Sequence, residues 1–254
     1  MLVEKDLKNK DALLSMNNLD VHVHSPYSAC CEDITFENLR EKAARLGMTY
    51  AVTDHSTHLY FPRELAWSLH KDEFKTLFAE YRSYGRKNIE KYIEECRKNA
   101  PLLGIELDIY SDETLVFEED LFDELDIVVG AVHFISGINK KNSVPEILDE
   151  YKRLTNAIVS SGKIDILGHP FRTLAYNKIP FTDDLIEWTV ECCKKNNIAV
   201  ELNSHYKFPD KDIKMVECAQ ALGVRIVYGS DAHHLKEFGD YSYQENICPR
   251  TVIA

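Results

Sequence analysis

Seven short apolar runs punctuate the chain, and each closes on side chains suited to holding a metal. They cover residues 19–24, 50–55, 102–106, 127–133, 164–169, 198–203 and 225–233. Their ends carry His22 and His24, Asp54 and His55, Glu106, His133, His169, Glu201 and Asn203, and finally Asp231 and His233. Runs this apolar and rich in branched residues read as buried parallel strands. Segments with helical period lie between them. Residues 35–46 begin at Thr35 as N-cap, place Leu39, Ala43 and Leu46 on one face and stop at Gly47. A long segment over 72–98 repeats Phe74, Leu77, Phe78 and Tyr81, then Tyr92, Ile93 and Cys96, with Gly85 expected to kink or split it. Residues 144–160 carry Ile147, Leu148, Tyr151, Leu154 and Ile158. Residues 182–196 start at Thr182 with two aspartates behind it, and 209–222 run from Pro209 to the residue before Gly223. The tail from Glu237 does not read as a final helix.

Strand and helix alternate about seven times, which implies a parallel sheet of the α/β class. A doubly wound open sheet would share this local pattern but would gather functional residues at one switch point. A barrel brings the C-terminal end of every strand to one face. Functional residue types close every run here, so the expectation is one barrel domain over residues 1–254, with a metal site at the C-terminal strand ends.

Composition narrows this little. A length of 254 residues allows one barrel or two small domains, and no linker, repeat or low-complexity tract marks a boundary. The longest apolar stretch, about 127–138, is too short for a bilayer and contains His133. The first residues lack the apolar segment of a signal peptide, which gives a cytoplasmic expectation. A net charge of −12 argues against a long nucleic-acid partner. Bound divalent cations would still make one face locally positive and attract phosphate. Seven cysteines, an odd number with two adjacent pairs, do not read as a disulfide framework. Cys96, Cys192, Cys193 and Cys218 fall on helical segments and read as reduced core residues.

His22 and His24 sit two apart on a strand and so share one side, roughly 6–7 Å apart along it. Asp231 and His233 repeat that spacing. A lone pair of this kind is weak; five further strands closing on His, Glu or Asp make it strong. Glu106 has two oxygens and could bridge two cations, which no histidine can do. Asp108 reads as an exposed charge at a strand terminus. His58, His70, His205 and His234 read as loop or surface residues, with His205 and His234 as candidates for substrate contact. Mixed His and carboxylate ligands suit Zn, Mn or Fe. Clustered metals of this type generate a hydroxide nucleophile and clamp the oxygens of an in-line phosphoryl displacement.

The motifs His22-Val23-His24-Ser25, Thr53-Asp54-His55, Gly104-Ile105-Glu106, His133, Gly168-His169-Pro170, Glu201-Leu202-Asn203 and Gly229-Ser230-Asp231-Ala232-His233 occur in this order over most of the chain. Together they resemble the PHP (polymerase and histidinol phosphatase) family, and stand-alone histidinol-phosphatase-like members in particular. The resemblance implies a distorted (β/α)7 barrel resembling a TIM barrel, holding two or three divalent transition metals. It assigns one metal to His22, His24, Glu106 and Asp231, and a second to Glu106, His133 and His169. A third would take His55, His233 and the residue six beyond His24, which is Cys30 here. Cys30 is then a thiolate ligand, or a packing residue beside a weak third site with Cys31, Glu32 and Asp33 as substitutes. The loop 204–209 lacks the arginine-bearing pattern of histidinol phosphatases.

The implied reaction is hydrolysis of a small phosphomonoester, histidinol phosphate among the candidates. Glu106 and His233 would be catalytic, and Arg172 would neutralise the phosphoryl group unless it is a surface arginine paired with acids. Glu201, Asn203, Lys207 and His205 are the other candidate substrate contacts, with Asp54 and Glu201 alternatively orienting ligands. Tyr60, Phe61 and Trp67 form a candidate lid or pack in the core. The competing readings are a nucleotide phosphatase or short-oligonucleotide exonuclease, an amidohydrolase, and a non-catalytic metal-binding module. An amidohydrolase needs a lysine on strand four, which the chain lacks. Oligomeric state is left open.

Overall fold

A computed structural model describes residues 9–67 and 74–250. His70, the first eight residues and the first two residues of the expected helix over 72–98 lie outside them. Seven strands form one all-parallel sheet in sequence order: β1 (Leu19–Val23), β2 (Thr49–Val52), β3 (Leu102–Asp108), β4 (Ile127–Ala131), β5 (Ile166–Leu167), β6 (Ala199–Asn203) and β7 (Ile226–Gly229). The sheet closes on itself. His24 N–H donates to the Ala232 carbonyl at 3.2 Å and Asp231 N–H to the His22 carbonyl at 2.8 Å, with a parallel bridge between Val23 and Ala232. The result is the distorted seven-stranded barrel expected from the sequence.

The helices in chain order are α1 (Lys10–Leu14), α2 (Phe36–Leu46), α3 (Ser56–Tyr60), α4 (Phe74–Glu80), α5 (Arg82–Asn99), α6 (Ser136–Asn139), α7 (Val144–Ser160), α8 (Arg172–Tyr176), α9 (Asp183–Asn196), α10 (Pro209–Leu222) and α11 (Ser242–Ile247). α2 has the expected Thr35 cap, completed by Asn38 reaching back, and ends on Gly47 in the left-handed region. Two expectations are corrected. The 72–98 segment breaks at Tyr81, and α5 runs through Gly85, whose bare Cα lies against Tyr60 where a Cβ would come within 2.8 Å of the ring. The tail does form a short helix, α11, anchored by Gln244 donating to the Gly229 carbonyl. Among the described residues no helix is long and apolar enough to cross a membrane.

The barrel interior has two tiers. Leu102, Ile127, Val129, Ile166, Ala199 and Val227 form an apolar lower layer with Leu19 and Val21, and α1 plugs it with Leu13 and Leu14. Two to four residues further along the same inward faces come Glu106, His133, Glu201 and Asp231. The register of β1 against β2 shifts between Asp20 and Val23. That irregularity re-aims the strand, so Leu19 and Val21 join the lower layer while His22 and His24 join the upper one. The outward residues, such as Ile105, Leu107, Val200, Leu202 and Tyr228, pack beneath the helices in the main core. Cys96, Cys192, Cys193 and Cys218 are buried free thiols, as expected.

Candidate metal centre

Glu106 stands at the middle of the upper tier, fully buried. Its Oε1 lies 2.8 Å from His169 Nε2 and 3.1 Å from His133 Nε2. Its Oε2 lies 2.7 Å from His55 Nδ1, 3.4 Å from His22 Nε2 and 3.7 Å from His24 Nε2. Five imidazoles from four strand ends therefore surround one carboxylate, divided between its two oxygens. Asp231 meets His24 Nε2 at 2.9 Å with Oδ1 and His169 Nε2 at 3.9 Å with Oδ2. Asp231 and His169 both have positive φ, 52° and 23°. Non-glycine residues tolerate this where the surroundings hold them, and it turns each side chain inward as its strand ends.

The imidazoles are oriented from behind. His22 Nδ1 pairs with Glu201 Oε1 at 2.8 Å, His133 Nδ1 with Asp108 Oδ1 at 2.6 Å, and His233 Nδ1 with the Asp231 carbonyl at 2.7 Å. His24 Nδ1 meets Ser28 Oγ at 3.1 Å. An outer carboxylate or carbonyl holding one ring nitrogen leaves the other free to ligate. Inside the cluster, His22 Nε2 is buried without a hydrogen-bond partner, and Glu106 Oε2 is met only by ion-pair contacts with imidazoles. Unsatisfied buried polar atoms are costly, and a cation between them removes that cost. The ligand atoms of three sets each fall within 4.8 Å of one another: His22, His24 and Glu106; Glu106, His133 and His169; and His24, Cys30, His55 and His233. The residues present thus fit divalent metals.

Charge supports the same reading. Burial works against the charged form of His24, but Asp231, Asp54 and Glu106 overcome it and raise its pKa to about 9. Burial is likewise outweighed at His133, raised to about 9 by Glu106 and Asp108. Glu201, Glu106 and Asp231 hold His22 well above its ordinary value despite burial. Burial also opposes ionisation of Glu106 and Asp231, yet the imidazoles keep both well below the usual carboxylate range. Burial lowers His55, and lowers His233 to about 3 and His58 to about 2, helped by neighbouring imidazoles. Protons shared between imidazole and carboxylate hold together a cluster that metals would hold by displacing them.

A cavity of about 690 Å³ opens above this tier. His55, His133, His233, Cys30, Arg172 and His205 lie on its wall. The Arg172 guanidinium sits 4.5 Å from the Tyr206 ring centroid and forms no ion pair among the described residues. Several expectations need correction. Glu201 takes the other role expected of it, that of orienting ligands: it is buried beneath them, accepting from His169 N–H at 2.7 Å as well as holding His22. Asn203 donates to Glu201 and Asp231 and accepts from the backbone of His205 and Tyr206. Neither faces the cavity. Lys207 lies in a separate hollow with Asp240, its ammonium 5.7 Å from the Tyr243 ring centroid. Tyr60 and Phe61 are core residues, whereas Trp67 is half exposed on the cavity wall.

Three residues were missed. Asp108 is buried, not exposed; it holds His133 and accepts from Thr57 N–H at 3.0 Å. Its i, i+2 spacing from Glu106 was the available signal. His58 is buried on α3, with Ala29 N–H donating to its Nδ1 at 3.2 Å. Ser28 joins the site by accepting from His55 N–H, and nothing in the sequence marked it.

The PHP domain model matches residues 20–205. The chain belongs to the PHP domain family. A DNA polymerase/3'-5' exonuclease PolX of Bacillus subtilis is 29% identical to this PHP chain over 222 residues, 87% of the chain. The chain spans only 35% of that relative's length. A probable phosphatase of Thermoanaerobacter sp. (strain X514) is 25% identical over 225 residues, covering 85% of the chain and 78% of the relative. The PHP barrel is also similar in fold to a histidinol phosphate phosphatase of Lactococcus lactis, solved with zinc, L-histidinol and phosphate. The TM-score is 0.54 at 16% identity, with 93% and 92% of the two chains covered.

Proposed function

We propose that the protein is a metal-dependent phosphoesterase that hydrolyses a small phosphomonoester, with histidinol phosphate one candidate. The observation that carries this is Glu106, one buried carboxylate shared by imidazole sets on both of its oxygens, beneath the histidines that line a cavity walled by Arg172. The similarity to phosphatases supports the same reading. His22, His24, Glu106 and Asp231 would hold one cation, Glu106, His133 and His169 a second, and His55, His233 and Cys30 a third. Divalent zinc, iron or manganese, when bound, supply Lewis-acid activation of water and neutralisation of phosphoryl charge. Glu106 and Asp231 stay ionised throughout, which keeps their oxygens free for cations. Asp108 and Glu201 fix the tautomers of His133 and His22. Arg172, on the cavity wall, would bind two phosphoryl oxygens through its planar fork. His205, stacked on His233 with ring centroids 4.5 Å apart, stands on the cavity wall.

A nucleotide phosphatase or short-oligonucleotide exonuclease is the second reading. It is favoured by Trp67 and Tyr176 on the cavity wall, 52% and 72% exposed, which offer faces for a base. An amidohydrolase is disfavoured because β4 contains no lysine. The test uses protein purified without chelator, with metal measured on the same sample. It is assayed on an aryl phosphate, histidinol phosphate, nucleoside monophosphates and a dinucleotide. We expect at least two equivalents of transition metal and turnover of a monoester. Less than one equivalent, unrecovered by added Zn, Mn or Fe, defeats the reading, and cleavage of the dinucleotide alone selects the second.

A further inference from the structure

We infer that the outer ligand set of this chain is a sulfur-containing site selective for zinc-like cations, built around Cys30 and held in shape by His58. The inference rests on the metal-centre reading above but not on the identity of the substrate. Cys30 Sγ lies within 4.8 Å of ligand nitrogens of His24, His55 and His233. The adjacent thiol does not compete. Cys31 Sγ turns away to the Ile34 carbonyl at 3.7 Å. Glu32 and Asp33 lean instead toward His234, at 3.3 and 3.8 Å. The possible substitutes for Cys30 are thus engaged elsewhere.

The loop that carries Cys30 is stitched down on every side. Ser28 N–H donates to Asp54 at 3.1 Å, and Ser28 Oγ accepts from His55 N–H at 3.2 Å. The Ala29 peptide is gripped at both polar groups. Its N–H donates to His58 Nδ1 at 3.2 Å, and its carbonyl accepts from Arg63 at 3.1 Å. Beyond the cysteine, Glu32 N–H donates to the His233 carbonyl at 3.0 Å. The ring of His58 is wedged between His55 and Trp67, with centroids at 4.4 and 4.5 Å. This network holds Cys30 facing the imidazoles of His55 and His233.

The nitrogens of His55 and His233 with one thiolate form a set that prefers zinc, cobalt or cadmium to magnesium or manganese. The thiol proton leaves to solvent as the sulfur coordinates. His58 acts as a positioning residue: it touches the loop, not the metal.

Chelator-stripped protein is titrated with cobalt(II) alone and followed by absorbance. Visible bands report all cobalt sites; a near-ultraviolet sulfur-to-cobalt band reports only the thiolate. We expect that band in the wild type, its loss in Cys30→Ser and its retention in Cys31→Ser. His58→Phe should keep the band but weaken the affinity of that equivalent about 10-fold or more. Cys30→His guards against misfolding: it should bind the same number of cobalt ions without the band. A wild type lacking the band at saturation, or a band that survives Cys30→Ser, overturns the site. Unchanged affinity in His58→Phe overturns the clamp. Protein inactive on every phosphoester but showing the Cys30-dependent band defeats the phosphatase reading and leaves this one standing.

Discussion

At the scale of single residues, the centre divides into groups that face the cations and groups that hold those groups still. Glu106 belongs to the first kind. Glu106→Gln keeps its shape and removes the charge shared by five imidazoles, so bound metal should drop and turnover of an aryl phosphate should fall by about 100-fold or more. Asp108 belongs to the second. Asp108→Asn leaves a weaker partner for His133 Nδ1 and should lower metal affinity by about 10- to 100-fold, read by competition with a chelating dye. Equal collapse of both variants to no bound metal would mean that Asp108 is itself a ligand. The sequence exposed the first kind better than the second. His22, His24, His133, His169 and Asp231 were legible because each ends an apolar run. Asp108 was misread because its role depends on a neighbour from β4 and on Thr57 of α3. His58 was misread for the same reason: only the fold brings the loop of Ala29 onto its ring.

Element by element, what the chain's periodicity revealed was the order and type of strands and helices, with their ends less well defined. α2, α7, α9 and α10 lie within a few residues of their expected bounds because their caps are written in the sequence. α11 escaped because six residues carry too little periodicity to detect. Gly85 misled because a buried glycine can mark close packing as well as a bend. Gly229 of β7 shows how tight that packing becomes at the site. A Cβ there would overlap Glu201 Oε1 and come within 2.8 Å of His22 Cβ. Gly229→Ala should therefore push Glu201 off His22, cutting metal affinity at the first site more than it lowers folding stability. Isothermal titration beside a thermal melt of the chelated protein separates the two. A large loss of melting temperature with unchanged affinity would refute this account.

For the molecule as a whole, the cluster makes stability depend on pH in opposite ways with and without metal. In chelated protein, His24 and His133 have pKa values near 9, above the ordinary 6.5. Their contribution is complete below pH 6.5 and is lost as pH rises through 9. His233 and His58, lowered to about 3 and about 2, act in reverse and weaken the fold below 6.5. Chelated protein should thus be most stable near pH 6.5 and lose about 5 °C of melting temperature by pH 9. Metal-loaded protein should gain over the same interval, because fewer protons compete for the ligands. Parallel curves with and without chelator would show that metal does not replace those protons.

The two-tiered interior has a consequence for how such a protein changes over generations. Folding is assigned to the lower layer and chemistry to the upper, on different residues of the same strands. Substitutions above can retune the reaction while the apolar layer below still supplies its packing. Cys30 enters from a loop rather than from a strand, so the outermost ligand is the one most open to exchange. New metal preferences in this architecture should arise there first, and spread inward only when the strands themselves are altered.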